Sequence, residues 1–383
     1  MIKYAIRDLV NYAKKLENEG RKIIYLNIGD PALFFETPLH IREALAKAAM
    51  EGKSYYAPSE GLPELREAIC RKEQEINGVS GLTPDDVVVT AGVSEGIQLV
   101  LLSVADVGDE ILIPDPSYPP YVSYSFLSGI KPRTYRCLEG DGWRPDVDDI
   151  RSKMGEKVKA IVLINPNNPS GAVYSEKKVK EIIDVAGEYG IPVISDEIYD
   201  QIIYDGCFRS TASLSDDVPV IGLNGLSKTH LITGWRLGYV YFYDPEGVLG
   251  GVKEGVKKMA RMRLSVNTPA QVAGVVALNG PKEHVRELVS SLKERRDYSF
   301  KRLSEFPNVY CNKPQGTFYI FPKINLEKWR SDEEFVVELL KNKGVLIVSG
   351  SGFGEEGRGH VRIVFLPPIE LLEEAFDKIE EFF

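Results

Sequence analysis

The sequence predicts an α/β fold: a large domain with a mostly parallel sheet flanked by helices, and a smaller α+β domain. Three observations carry this. From about residue 85 to 245, short β-branched runs alternate with helical stretches, the pattern of a parallel sheet covered on both faces. Among these runs, 159–164 and 192–195 are hydrophobic with no polar alternation, as strands buried on both faces are. From about residue 306 the pattern changes to short strands at 309–311, 317–321, 345–348 and 360–365, with helices over 332–342 and 369–383. The predicted division is an N-terminal segment 1–45 that joins the small domain, a large domain over 46–270, and a small domain over 271–383. A cleft between two domains is the default place for a small ligand.

The bulk numbers narrow the function. A chain of 383 residues suits two or three domains. The apolar fraction of 43% and charged fraction of 27% are ordinary for a globular protein. A net charge of −9 with no basic stripe excludes nucleic acid as a general partner, while leaving room for a local anion site. No run reaches the ~18 apolar residues of a bilayer span. Ile2, Ala5, Ile6, Leu9, Val10, Ala13 and Leu16 have helical spacing, with Asp8 and Glu17 on the polar side. That segment lacks the apolar core of a signal peptide and the acid-poor composition of a transit peptide, so the expected location is the cytoplasm. Cys70, Cys137, Cys207 and Cys311 are far apart and read as small buried hydrophobes in a reducing compartment. His40, His230, His284 and His360 are also scattered, and no metal constellation is expected.

Along the chain, a strand over 22–28 leads into Gly29-Asp30-Pro31, where Gly29 would allow close approach to a ligand or simply make a turn. A helix over 38–51 follows. The loop Tyr55-Tyr56-Ala57-Pro58 precedes a helix that opens at Leu62-Pro63. The run Val87-Val88-Val89-Thr90 passes through Ala91-Gly92-Val93-Ser94 into a helix over 95–105. A glycine turn feeding a helix N-terminus suits an anion, although Ser94 there could equally be a plain N-cap. The strand 110–114 runs into Asp115-Pro116-Ser117-Tyr118, where a ring held among prolines could stack on a flat ligand or pack into the loop. The strand 159–164 ends in Asn165-Pro166-Asn167-Asn168-Pro169-Ser170-Gly171, at the edge where ligands of open α/β sheets sit. Asp196 ends the strand 192–195, half-buried and in need of a cation. A lysine or arginine neighbour and a protonated pyridine nitrogen are both suitable.

The last strand of the series, 218–223, leads into Gly225-Leu226-Ser227-Lys228. A lysine at the end of a buried strand is desolvated, which lowers its pKa and frees the amine as a nucleophile able to form a Schiff base with a carbonyl. Ser227 and Arg236 beside it suit a phosphate. A returning strand over 237–242 and helices over 244–263 and 269–305 follow.

These motifs fall in one order: Tyr56 before Pro-Ser-x-Gly-Leu-Pro-Glu-Leu-Arg, Ala91-Gly92-Val93-Ser94, Pro116-Ser117-Tyr118, Asn168-Pro169-Ser170-Gly171, Asp196-x-x-Tyr199, Ser227-Lys228, Arg236 and Val361-Arg362. In that register the chain resembles the fold-type I, class I/II pyridoxal-phosphate aminotransferases over nearly its whole length. Phrases such as Asn-Gly-Leu-Ser-Lys, Thr-Gly-Trp-Arg-Leu-Gly-Tyr and Val-Phe-Leu-Pro-Pro-Ile-Glu resemble the prokaryotic alanine aminotransferases within it.

The resemblance implies pyridoxal 5′-phosphate as cofactor and an amino acid and a 2-oxo acid as substrates. Lys228 would be the Schiff-base lysine and proton shuttle, and Asp196 would pair with the pyridinium nitrogen. Tyr199 and Asn168 would bond the ring oxygen, and Tyr118 would stack on the ring. Gly92, Val93, Ser94, Ser227 and Arg236 would hold the phosphate. Tyr56 would reach it from the partner subunit, which implies a homodimer. Arg362 would fork onto the substrate α-carboxylate, with Asn168 and the Gly29 backbone completing that pocket. Two departures stand out. Gly225 occupies a position where some relatives carry a phosphate-binding serine. In dicarboxylate-specific relatives the partner subunit brings an arginine for the distal carboxylate from the position that is Met262 here, with Arg261 and Arg263 on either side, so Arg263 is the candidate for that task. The implied activity is ping-pong transamination from alanine to 2-oxoglutarate. Aspartate, broad-range or aromatic transamination and a C–S β-lyase activity remain as alternatives. A pyridoxal-phosphate-binding regulator would need an added DNA-binding domain, for which the sequence leaves no room.

Overall fold

The computed structural model describes residues 9–307 and 309–383, so Ile2, Ala5, Ile6 and Asp8 of the predicted N-terminal helix lie outside the described residues. The helix is present over Val10–Asn18, with Ala13 and Leu16 buried. It leads to β1 (Ile24–Tyr25) and the helices Leu39–Met50 and Pro63–Asn77.

Eight strands form the central sheet: β2 (Val87–Thr90), β3 (Glu110–Asp115), β4 (Lys131–Leu138), β5 (Arg144–Pro145), β6 (Val158–Ile164), β7 (Val193–Asp196), β8 (Val220–Gly225) and β9 (Gly238–Tyr243). Their order is β2-β9-β8-β7-β6-β3-β4-β5. The run β8-β7-β6-β3-β4 is parallel, whereas β9 is antiparallel to both its neighbours and β5 closes the far edge antiparallel. Successive side chains of a strand face opposite ways. Accordingly Leu112, Leu163, Val193 and Val220 join the core on one face. Their chain neighbours Ile113, Val162, Ile194 and Ile221 join the core on the other. Each fully buried aliphatic contributes about 1.5–3 kcal/mol, which is why these strands tolerate no polar alternation.

The C-terminal part is built on β10 (Val309–Tyr310), β11 (Tyr319–Ile320), β12 (Lys323–Ile324), β13 (Val345–Leu346), β14 (Val348–Ser349) and β15 (Val361–Val364). Here β15 lies between β11 and β14, and β13 pairs with β1. A separate core joins Ile24 and Leu26 to Phe318, Phe335, Ile363 and Phe376.

Several boundaries differ from the sequence reading. The predicted helix over 269–305 is two helices, Thr268–Asn279 and Glu283–Ser304. Gly280-Pro281 breaks it, because proline lacks the N–H and disfavours helix before it. The helix expected from 244 begins at Gly250, since the Asp244 carboxylate takes the N–H groups of Val248 and Leu249 at 2.9 and 2.8 Å. Helices Pro120–Leu127 and Val147–Ser152 were not expected. The strand 345–348 is two short ladders with different partners. Among the described residues, no helix is long and apolar enough to cross a membrane.

Candidate active site

A cavity of about 590 Å³ opens where the parallel strands end. Asp196 is the last residue of β7, Asn168 lies just past β6, and Lys228 just past β8. The opposite wall comes from Gly29 after β1 and from Tyr319 and Arg362 of the C-terminal sheet.

One end of the cavity suits an anion. The helix over Val93–Val104 begins at Gly92, whose φ of +80° is open to glycine. A Cβ there would run into the Arg236 guanidinium. Ser94 is the second helical residue, so the N-cap reading of Ser94 is corrected: Gly92 is the cap and makes no side-chain bond. Val93 and Ser94 line the cavity at the start of the helix, ahead of the first backbone bonds of that turn, which run from Glu95 and Gly96 to the Gly92 carbonyl. Ser227 lines the same end. Arg236, itself at φ +58°, is held by the carbonyls of Thr233 at 3.0 Å and Ala91 at 3.2 Å. Gly225 is where β8 meets Gly238 of β9, and a Cβ would lie 2.9 Å from Gly238 Cα and from the Leu237 oxygen. A serine at that position would require these two strands to move apart.

The floor suits a cation. Asp196 is buried, and burial lifts its carboxyl to about 6. Among the described residues its donors are the Tyr121 hydroxyl at 3.0 Å and the Ile198 N–H at 3.3 Å. These soften the desolvation without supplying a positive charge in contact. Tyr118 lines the cavity and packs against both sheet cores. Tyr199 is buried, and its hydroxyl meets that of Tyr319 at 2.9 Å.

The reactive amine lies between these ends. Burial lowers Lys228 to about 8. Asp30 and Asp196 oppose that shift, while Arg236 and Arg362 reinforce it. Its Nζ donates to the Gly29 carbonyl at 2.7 Å. Gly29 has no room for a side chain, because a Cβ would strike the Tyr319 hydroxyl. Arg362 is buried at 1% exposure and donates through Nη1 to Asn168 Oδ1 at 2.9 Å and through Nη2 to the Asn27 carbonyl at 2.6 Å. Its guanidinium lies 4.3 Å from the Tyr319 ring centre and 4.9 Å from that of Phe353. A planar fork fixed in this way is matched to a carboxylate.

Two residues expected to act from a partner subunit lie outside this cavity in the single chain. Arg263 does not line the cavity; it donates to Glu95 at 3.1 Å and to the Val89 carbonyl at 3.0 Å, and its Nη1 is buried with no partner among the described residues. Tyr56 is 76% exposed and also outside the lining. Four residues that sequence reasoning passed over belong to the site: Tyr121, Tyr319, Asp30 and Thr233. Asp30 accepts from Thr233 at 2.7 Å, tying the β1 loop to the lysine loop. Tyr121 stood in the same proline-rich loop as Tyr118, but the helix that aims it at Asp196 was not expected. Thr233 and Tyr319 stood inside phrases that marked the family resemblance, but nothing local assigned either a place in the site.

A buried acid facing the cavity, a helix start beside Arg236 and Ser227, and a depressed lysine fit the ring nitrogen, phosphate and reactive carbon of the cofactor that the sequence implies. Among the described residues, no group of His, Cys, Asp and Glu is placed to hold a metal ion.

Comparison with known proteins gives the family. The family described as Aminotransferase class I and II matches residues 21–379. The glutamate-pyruvate aminotransferase AlaA of Haemophilus influenzae is 40% identical, covering 99% of this chain and 95% of its own. An alanine aminotransferase of Mycobacterium tuberculosis is 38% identical, covering 99% and 90%. Among solved structures, an alanine aminotransferase from Pyrococcus furiosus is similar with a TM-score of 0.97 at 56% identity, covering 100% of this chain and 97% of that one.

Proposed function

The chain belongs to the class I and II aminotransferases, and on that footing we propose that it moves the amino group of L-alanine to 2-oxoglutarate in two half-reactions. The observation that carries the reading is the opposition, in one cavity, of a lysine lowered to about 8 and a buried arginine fork at Arg362. The names of the relatives point to alanine and glutamate as donors.

The residues divide the work. Arg362 would bind the α-carboxylate, with Asn168 holding the fork in plane. Lys228 would take the Cα proton of the bound amino acid and return it on the product side, a task for an amine poised near neutral pH. Asp196 would face the ring nitrogen of pyridoxal 5′-phosphate, Tyr199 and Asn168 its ring oxygen, and Tyr118 its face. Gly92, Val93, Ser94, Ser227 and Arg236 would hold its phosphate. When bound, the cofactor supplies an electron sink that makes the Cα proton removable. Thr233 fixes Asp30, whose charge tempers the depression of Lys228.

The same reading makes the enzyme a cytoplasmic homodimer, with Tyr56 of the partner subunit completing the phosphate site. The exposure of Tyr56 in the single chain supports it, as does the hydrogen bond of 2.6 Å from Thr268 to the Tyr55 carbonyl, which steadies that loop. It also treats residues 46–270 as the cofactor domain and 271–383, with 1–45, as the smaller one. The boundary fits better near 280, because Ala277 and Leu278 pack with the sheet core.

A half-reaction screen tests the proposal. Purified yellow enzyme is mixed with single amino acids and the cofactor absorbance is followed. Alanine and glutamate should bleach it, with one equivalent of pyruvate released per site from alanine. Faster bleaching by aspartate or by phenylalanine would move the substrate to those acids. Pyruvate and ammonia from cystathionine without a 2-oxo acid would identify a lyase.

A further inference from the structure

The turn that carries Gly92 is braced from behind by an ion pair that the proposed reaction does not use. Glu95 lies in the first turn of the helix Val93–Val104. Its Oε2 accepts the Ala91 N–H at 2.6 Å, and its Oε1 accepts Arg263 Nε at 3.1 Å. Arg263 ends the helix Gly250–Arg263 and also donates to the Val89 carbonyl at 3.0 Å. The two side chains are only 19% and 16% exposed. On the cavity side, the Ala91 carbonyl accepts Arg236 Nη2 at 3.2 Å. Arg263, Glu95, Ala91 and Arg236 therefore form one connected chain that reaches the anion end of the cavity. Leu264, directly after Arg263, has φ +78°, a conformation that leucine rarely takes. The chain bears that strain where it turns Arg263 inward.

The charges explain why a pair is needed. The Glu95 carboxylate favours the helix start on which it sits and closes the turn through Ala91. Alone, it would repel a phosphate at the same helix start, and because the Glu95 side chain is only 16% exposed, solvent screens that repulsion less than at an open surface. Arg263 cancels it.

Resting on the cofactor reading above, we propose that Glu95 and Arg263 are positioning residues for the cofactor phosphate. Glu95 holds the Ala91–Gly92 turn in shape, and Arg263 neutralises Glu95 so that the helix start accepts a dianion. Arg263 acts on its own subunit's cofactor site rather than on a substrate carboxylate.

Titration of the apoenzyme with pyridoxal 5′-phosphate and with phosphate-free pyridoxal, followed by tryptophan fluorescence, tests this in R263M, E95Q and E95Q/R263M. Thermal unfolding confirms that each variant is folded. R263M should bind pyridoxal phosphate about tenfold more weakly, a change of about 1.4 kcal/mol, with pyridoxal affinity unchanged. E95Q, which keeps an acceptor for Ala91, should bind at least as tightly as the parent. The double variant should recover most of the loss, because the anion is gone. Equal weakness of R263M and the double variant, or equal losses for the two ligands, would overturn the proposal. So would unchanged cofactor binding in R263M together with a raised KM for 2-oxoglutarate, which would return the guanidinium to the substrate. Failure of the parent chain to bind pyridoxal phosphate would overturn the cofactor reading and this inference with it.

Discussion

Two lysines of this chain, Lys72 buried and Lys228 half-buried at the cavity, have opposite fates. Lys72, on the helix Pro63–Asn77, lies in a polar knot behind the sheet. Its ammonium meets Glu73 at 2.9 Å and Asp200, while Asn77, Asn224 and Tyr239 satisfy the same two carboxylates. Burial pulls its pKa down, but Asp200 and Glu73 outweigh burial and hold it above the ordinary value. Lys228, in the cavity, has one neutral carbonyl acceptor at Gly29, and burial wins. The difference teaches that desolvation alone does not make a lysine reactive. What matters is whether the fold supplies carboxylates within contact.

Four measurements break or sharpen this contrast, taken here from the largest effect to the smallest. Lys228→Ala should lower transamination by ~10⁴-fold or more, since nucleophile and proton carrier go together; comparable residual turnover would place the chemistry on another residue. Lys72→Met should leave the cavity lining intact but cost ~3–5 kcal/mol in stability at neutral pH, because it strands two buried carboxylates. Chemical denaturation of the apoenzyme checks this, and an unchanged midpoint would refute the pairing. The third concerns the sign. Lys228 has a folded pKa near 8, below its ordinary 10.5, so its burial opposes folding most below pH 8. Lys228→Met should therefore stabilise the apoenzyme by about 3 kcal/mol at pH 7, with the gain fading as pH rises toward the ordinary lysine value. Lys72 has a raised pKa, so its contribution runs the other way, present at neutral pH and lost only in strong alkali. Last, the rate at which apoenzyme takes up pyridoxal phosphate should rise with pH through about 8, the point where Lys228 becomes neutral. Asp30 holds that value up, so Asp30→Asn should move the midpoint to lower pH by roughly half a unit to one unit. A midpoint that moves upward would contradict the charge assignment.

Much of the site was legible because it stands where strand patterns stop. Asp196 follows an apolar run, Asn168 a proline-rich one, and Lys228 a glycine turn. A polar residue at such a break has few reasons to be there other than the ligand edge of the sheet. Arg362 was less legible. Within its own strand it reads as a surface ion-pair arginine, yet it is buried against Asn168 and the Asn27 carbonyl. The split of the predicted helix at Gly280-Pro281 was missed although the proline was in view, because apolar spacing continues on both sides. Gly29 and Gly225 were visible as glycines, but the neighbours that exclude a side chain, Tyr319 and Gly238, come from remote strands.

By itself, the sequence determined the chemical inventory: an alternating α/β order, polar residues at strand ends, and the lysine, aspartate and arginine types that suit a phosphate-bearing ring. These are consequences of local period and of side-chain chemistry, which neighbours in the chain suffice to express. Only the tertiary structure decided why Lys228 is depressed while Lys72 is held charged. Asp200 reaches Lys72 across 128 positions, and the Gly29 carbonyl reaches Lys228 across 199. A pKa is set by charges within a few ångströms in space, and distance along the chain carries no record of them.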